Sequence, residues 1–167
     1  MSDRRLHHVE SAAFRQAMRA LSSGVAIIAC GEGDARVGCT VTSLTSLSLA
    51  PPTLLTCLSR SSSTLAALRA RKAFGVSLLA ARHEALAHRF SGRSGVHGPR
   101  RFEGTNWTSL STGAPILADA LAAFDCLIEE ILDRHSHAII LGAVVSVAEG
   151  AAEPALAHRH GEYMPLG

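Results

Sequence analysis

Near the N-terminus, apolar residues recur at helical spacing at Ala13, Phe14, Ala17, Met18 and Leu21, while Arg15, Gln16 and Arg19 fill the opposite face. The pattern predicts a surface helix within residues 9–21, packed on something flat and stopped by Gly24. Residues 25–30 form a short apolar run rich in β-branched side chains and read as a buried strand. Gly31, Gly33 and Asp34 then supply turn chemistry for a hairpin. Residues 37–49 alternate hydroxyl-bearing and apolar side chains, predicting two strands or one bent strand with faces of different polarity. Pro51-Pro52 ends that segment, because proline cannot donate to a ladder.

Residues 53–58 and 74–79 read as further strands, separated by a helix over 64–72 for which Ser62 and Ser63 offer N-caps. Helical signals return over 82–90. Gly92, Gly95, Gly98 and Pro99 then mark a loop running to about Pro115, a length usually reserved for functional or interfacial segments. The last third predicts paired strands at 121–132 and 138–147 and a final short strand near 156–160. Strands joined by hairpins, with two or three short helices that do not alternate strictly with them, argue for a closed, mostly antiparallel barrel rather than a doubly wound parallel sheet.

Composition narrows the function classes. The chain has 167 residues, which suits one domain over residues 9–167 preceded by a flexible tail over 1–8 that includes His7-His8. It is 47% hydrophobic and only 18% charged, against about 25% charged in an average soluble domain. Part of that apolar surface is expected to meet a partner subunit. The net charge is +2, and the densest basic stretches, residues 69–72 and Arg100-Arg101, read as a solvated helix face and a loop, so no nucleic-acid partner is expected. Cys30, Cys39, Cys57 and Cys126 lie in hydrophobic stretches without Cys-x-x-Cys spacing and read as reduced core residues. Neither a signal peptide nor a membrane-spanning run can be drawn, which leaves a cytoplasmic protein with no membrane partner as the expectation.

Two stretches carry candidate chemistry. Residues 38–52 hold six hydroxyl side chains, more than a core strand needs, because a buried hydroxyl without a partner costs ~1–3 kcal/mol. The flat, apolar body of an isoalloxazine ring with its polar pyrimidine edge suits such a lining; a strand face hydrated by water is the plainer alternative. The second stretch is Ser59-Arg60-Ser61-Ser62-Ser63-Thr64, which follows a strand and opens a helix. Backbone N–H groups at a helix start, beside hydroxyls and an arginine, suit a phosphate, or form an ordinary cap cluster.

The succession Phe14-Arg15, Gly24-Val25, Gly38-x-Thr40 with Ser43, Ser46, Ser48 and Pro51-Pro52, then Phe74, Phe90, Trp107, Gly113-x-Pro115, Cys126, His137 and Gly142-x-Val144 resembles the flavin reductase-like, FMN-binding split-barrel family. That family includes the small reductase components of two-component flavin monooxygenases. The resemblance covers about residues 10–165 and is most specific in the Ser-x-Ser-x-x-Pro-Pro stretch before His137. It implies a mainly β, antiparallel split β-barrel with a few flanking helices. It also implies a two-fold homodimer in which both subunits approach the flavin. The implied reaction is reduction of FMN or FAD by NADH or NADPH, with reduced flavin passing to a separate oxygenase.

Carried over by position, the resemblance implies that Thr40, Val41, Thr42 and Ser43 line the flavin ring, with Gly38, Ser46 and Ser48 counted among the cofactor-binding positions. Cys57, Leu58 and Ser59 run along the other edge, Ser63 and Thr64 help hold the phosphate, and Arg89 and Phe90 close over the ring or ribityl chain. His158, His160 and Gly161 match a segment implicated in nicotinamide contact, and His137 is the candidate catalytic residue, orienting nicotinamide or stabilising charge on reduced flavin. Two positions differ from the family pattern: His135-Ser136 stand where a Gly-Asp pair is frequent, and Thr42 where asparagine is frequent. Hydride transfer asks mainly for geometry, with nicotinamide C4 held about 3–3.5 Å from flavin N5.

Other readings of the same residues differ in class. His135/His137 and His158/His160 have the i, i+2 spacing that could build a metal-binding barrel, although no acidic third ligand neighbours either pair. A flavin carrier or sensor without reductase activity would use the same barrel. Gly31-x-Gly33 lacks the third glycine and following helix of a dinucleotide fingerprint.

Overall fold

The computed structural model describes residues 8–167, so most of the tail expected over 1–8 lies outside the described residues. A helix α1 (Ser11–Met18) leads into the strands β1 (Ser23–Gly24), β2 (Ala26–Cys30), β3 (Val37–Val41), β4 (Thr45–Leu49) and β5 (Pro52–Ser59). Helix α2 (Ser63–Arg71), strand β6 (Ala73–Leu78) and helix α3 (Glu84–Phe90) follow. Then come β7 (Trp107–Ser109), β8 (Pro115–Leu117), β9 (Ala122–Arg134), β10 (His137–Glu149), β11 (Ala155–Arg159) and β12 (Glu162–Leu166).

Seven strands form one sheet in the order β3-β2-β6-β9-β10-β5-β4, accompanied by a three-stranded sheet β1-β11-β12 and the hairpin β7-β8. Every pairing among the described residues is antiparallel. The expectation of a closed barrel is corrected in one respect. The sheet curls but its ladder stays open, with β3 and β4 as the two edges. This is the split form of the barrel, with its seam at residues 42–44 between the edge strands.

Strand β2 explains why residues 25–30 read as an unbroken apolar run. Ala26, Ile28 and Cys30 enter one core with Leu65, Leu68, Phe74, Val76 and Ile140. Val25, Ile27 and Ala29 enter a second core with Leu79, Phe90, Phe102, Leu117 and Leu156. A strand buried on both faces loses the hydrophobic alternation that a half-solvated strand keeps. At ~1.5–3 kcal/mol for each fully buried large side chain, these two layers dominate the stabilisation of the fold.

Four expectations need correction. Helix α1 is shorter than residues 9–21 and buries none of its residues; Phe14 and Met18 remain 59% and 46% exposed, so its apolar stripe is not packed on its own chain. The stretch read as a loop to Pro115 contains a 3-10 turn, Gly98–Phe102, and the hairpin β7-β8. It is ordered because Phe102 and Trp107 pack against Phe90, with ring centroids 5.0 and 5.5 Å away. Those anchors are too widely spaced to register as a period. The double proline does not simply end a strand, because Pro52 opens β5 after a cis Ala50–Pro51 bond. Strand β12 extends the fold beyond the last strand expected near 156–160; it pairs with β11 through the two-residue turn His160-Gly161, both at positive φ as a tight hairpin requires.

Candidate active site

A cleft of about 1200 Å³ opens along the seam of the barrel. Strand β3 and the residues after it supply Cys39, Thr40, Val41, Thr42 and Ser43, and β5 supplies Cys57, Leu58 and Ser59. Ser63 and Thr64 open α2 at one end, while Phe90 forms part of the base and His137 part of the rim. The register explains His137: as the first residue of β10 it stands opposite Ser59 of β5. Its Nδ1 lies 2.8 Å from the Ser136 hydroxyl, and the ring is exposed.

The hydroxyls of residues 38–52 are mostly engaged by the protein itself. Thr40 donates to the Ala87 carbonyl at 2.7 Å and ties β3 to α3. Ser43 Oγ accepts from Cys57 N–H at 3.1 Å and donates to the Cys57 carbonyl at 3.0 Å. Thr45 donates to the Ser46 carbonyl, and Ser48 accepts from Ala50 N–H. The argument that this richness signals a waiting ligand is therefore corrected at four of its six hydroxyls, counted from these contacts. Thr42 is exposed and lines the cleft.

The second stretch builds a cap. Ser62 N-caps α2 by accepting from Thr64 N–H at 3.2 Å, while Ser59 and Ser61 join their hydroxyls at 2.9 Å. The first N–H groups of α2 have no partners within the helix and carry its positive end. Beside them stands Arg101, a correction to the solvated loop expected at Arg100-Arg101. Its Nε donates to the Val96 carbonyl and its Nη1 to the Gly38 carbonyl, both at 2.8 Å, and its guanidinium lines the cleft. No carboxylate within ion-pair distance neutralises it among the described residues. Cys39 marks where the two elements meet. Burial pushes its thiol up to about 11, and Thr64, Arg101 and Ser62 each draw it part of the way back. A neutral thiol there leaves the positive potential of Arg101 and α2 intact.

Other expected residues lie elsewhere. Gly38 is buried beneath Phe90, where a Cβ would stand 2.9 Å from the ring. Ser46 and Ser48 sit on edge strand β4 outside the cleft. Arg89 does not reach the cleft either; its Nη1 donates to the Glu103 carbonyl and it lines a neighbouring pocket.

His158 and Gly161 line a smaller pocket of about 200 Å³ with Thr40, Thr42, His88 and Tyr163. It adjoins the main cleft through Thr40, Thr42 and Ser91, which line both. Tyr163 stands edge-on to His88 at 4.7 Å and to His158 at 5.3 Å, and burial raises its phenol above the ordinary tyrosine value. His160 is exposed; its carbonyl accepts from Arg19, and its N–H donates to the Arg19 carbonyl at 2.9 Å. Among the described residues, no three His, Cys, Asp or Glu side chains are grouped to hold a metal ion, and no helix is long and apolar enough to cross a membrane.

Residues 18–167 match the family model described as "Flavin reductase like domain". The chain is 42% identical over 162 residues to FMN reductase (NADH) RutF 2 of Methylorubrum extorquens strain PA1, a match covering 94% of this chain and 91% of the relative. Among solved structures it is similar to BorF, the flavin reductase component of a bacterial two-component tryptophan halogenase. There the TM-score is 0.86 and the identity 30%, over 94% of this chain and 98% of BorF. It is also similar to the NADH:FAD oxidoreductase SgcE6 of Streptomyces globisporus C-1027, with TM-score 0.85 and 27% identity over 99% of each chain.

Proposed function

The chain belongs to the flavin reductase-like domain family, and from that premise we propose that it is an NADH:flavin oxidoreductase that reduces FMN in the seam cleft. The carrying observation is the convergence of Arg101 and the α2 N-terminus beside an uncharged Cys39, in a cleft of about 1200 Å³. A phosphate there gains a guanidinium and helix N–H donors together. The apolar walls of Val41, Leu58 and Phe90 suit the body of the ring, and the exposed Thr42 hydroxyl suits its polar edge.

When bound, the flavin supplies hydride acceptance and the nicotinamide supplies the hydride. This chain's residues bind and orient. Ser43 and Thr40 fix the wall of the cleft through Cys57 and Ala87. The pocket of His158 and Tyr163 adjoins the wall at Thr40 and Thr42 and suits the nicotinamide donor. His137, exposed at the rim, orients the donor or stabilises negative charge beside it.

The names of the relatives support NADH as donor and FMN as first acceptor, with FAD second; NADPH is the less supported donor. The BorF likeness supports delivery of reduced flavin to a separate oxygenase. A homodimer covers the exposed Phe14, Met18, Leu47, Leu49 and Val147. Four free cysteines support the reducing cytoplasm. The test is NADH oxidation by purified protein with FMN added. FMN-dependent turnover is expected, and binding of FMN without turnover overturns the enzymatic reading.

A further inference from the structure

We propose, on the flavin and donor readings above, that Arg93 binds the nicotinamide donor and that Arg101, by gripping the flavin phosphate, sets the segment that carries Arg93. A phosphorylated flavin then tightens the hold on the donor. Residues 91–97 link α3 to the 3-10 turn Gly98–Phe102. Ser91, Gly92 and His97 line the seam cleft, while Ser91 and Arg93 line the pocket of His158 and Tyr163. One short segment therefore borders both the flavin site and the donor site.

Few bonds hold that segment. No backbone–backbone hydrogen bond reaches residues 92–97 among the described residues, and Gly92 and Gly95 on either side of Arg93 stand at φ +81° and +71°. Ser94 donates to the Arg89 carbonyl at 3.0 Å, and Arg101 Nε donates to the Val96 carbonyl at 2.8 Å. The second bond ties the segment to the cleft, because Arg101 Nη1 donates at the same time to the Gly38 carbonyl of β3. Its Nη2 faces Gly92, 3.8 Å from where a Cβ would stand. Two of the five guanidinium donors are spent on carbonyls, which leaves three for an anion. A phosphate on those three fixes the guanidinium plane, and the same rigid fork fixes Val96 against β3.

Arg93 itself is exposed, and no ion pair engages it among the described residues. Burial raises the Tyr163 phenol and the Arg93 charge draws it part of the way back, so the guanidinium acts on the donor pocket. No carboxylate lines that pocket, and Arg93 is its one permanently charged group beside His88 and His158. A guanidinium so placed suits the diphosphate of a nicotinamide dinucleotide. Ordering the segment costs entropy. A phosphate at Arg101 meets that cost before the donor arrives, whereas riboflavin, which lacks the phosphate, leaves it to the donor.

The test compares FMN with riboflavin, each at a concentration shown to saturate by flavin fluorescence, on the full chain and on the variants Arg93→Gln and Arg93→Lys. The KM for NADH is expected to be about five- to tenfold lower with FMN than with riboflavin. In Arg93→Gln that difference should shrink to below about twofold while the FMN dissociation constant holds within about twofold, and Arg93→Lys should recover part of it. NAD+, which carries no hydride to give, is expected to tighten FMN and leave riboflavin unchanged, as reciprocal coupling requires. Hydrogen exchange over residues 91–97 should slow on addition of FMN but not of riboflavin. Equal NADH KM values with the two acceptors overturn the coupling, and a difference that survives in Arg93→Gln overturns the role of Arg93. Protection of residues 91–97 by riboflavin as much as by FMN overturns the role of the phosphate. Unaltered protein that binds neither flavin overturns the flavin reading itself, a result distinct from the others.

Discussion

The Ser43 hydroxyl bonds to both backbone groups of Cys57, accepting from its N–H at 3.1 Å and donating to its carbonyl at 3.0 Å. In the antiparallel register of β4 and β5, Thr45 pairs with Leu55, so Ser43, two residues before Thr45, falls opposite Cys57, two residues after Leu55. A side chain thus continues a ladder that the backbone has left at the seam of the barrel.

Replacement of Ser43 by alanine removes both contacts and leaves the Cys57 N–H and carbonyl unpaired. The expected loss is about 1–2 kcal/mol in urea unfolding, because partly buried backbone groups lose their partner. Flavin affinity should fall with it, since the bonded pair Ser43 and Cys57 both line the cleft.

Gly38 acts through packing. A Cβ there meets the Ile28 carbonyl at 2.8 Å and the Phe90 ring at 2.9 Å, whereas at Gly24 nothing lies within 4 Å. Gly38→Ala is expected to destabilise by roughly 1–3 kcal/mol, and Gly24→Ala by less than about 0.5 kcal/mol, in parallel chemical denaturation.

Arg101→Gln removes the charge proposed to face the flavin phosphate. FMN affinity should drop roughly 10–100-fold while riboflavin, which lacks the phosphate, binds almost unchanged. Equal losses for the two ligands would mean that Arg101 supports the fold through Gly38 and Val96 instead.

His137 should separate donor from acceptor. His137→Gln is expected to lower NADH turnover about tenfold with the FMN dissociation constant within about twofold, checked by steady-state rates and fluorescence titration. A rise in the FMN constant of the same size as the loss in turnover would assign the ring to flavin binding.

The thiols give a pH dependence. Burial raises Cys30 and Cys39 to about 11 and Cys126 to about 12, from an ordinary value of 9.0. Because the folded values are raised, the stability they contribute is complete below about pH 9. It is lost as pH climbs toward 11–12, where the unfolded chain is already ionised. Unfolding midpoints should hold to about pH 9 and fall above it, and Cys126→Ala should flatten that fall. At neutral pH the native protein should react slowly with iodoacetamide at these three positions.

The order of hydrophobic runs and turn residues carried most of the strand succession, because period-two patterning, glycine turns and the Ser62 cap are local effects of the residues that show them. The order Gly38, Thr40, Ser43 through His137 carried the family for the same reason. Tertiary structure alone decided what those residues do. Thr40, Ser43 and Ser48 spend their hydroxyls on the protein, Gly38 makes room for Phe90, and Arg89 turns away from the cleft while Arg101 enters it. Arg101 is held at the seam cleft by the carbonyls of Gly38 and Val96, and Arg89 is held away from it by the carbonyl of Glu103. A partner as distant as Gly38, 63 residues away, leaves no trace in the local pattern around residue 101.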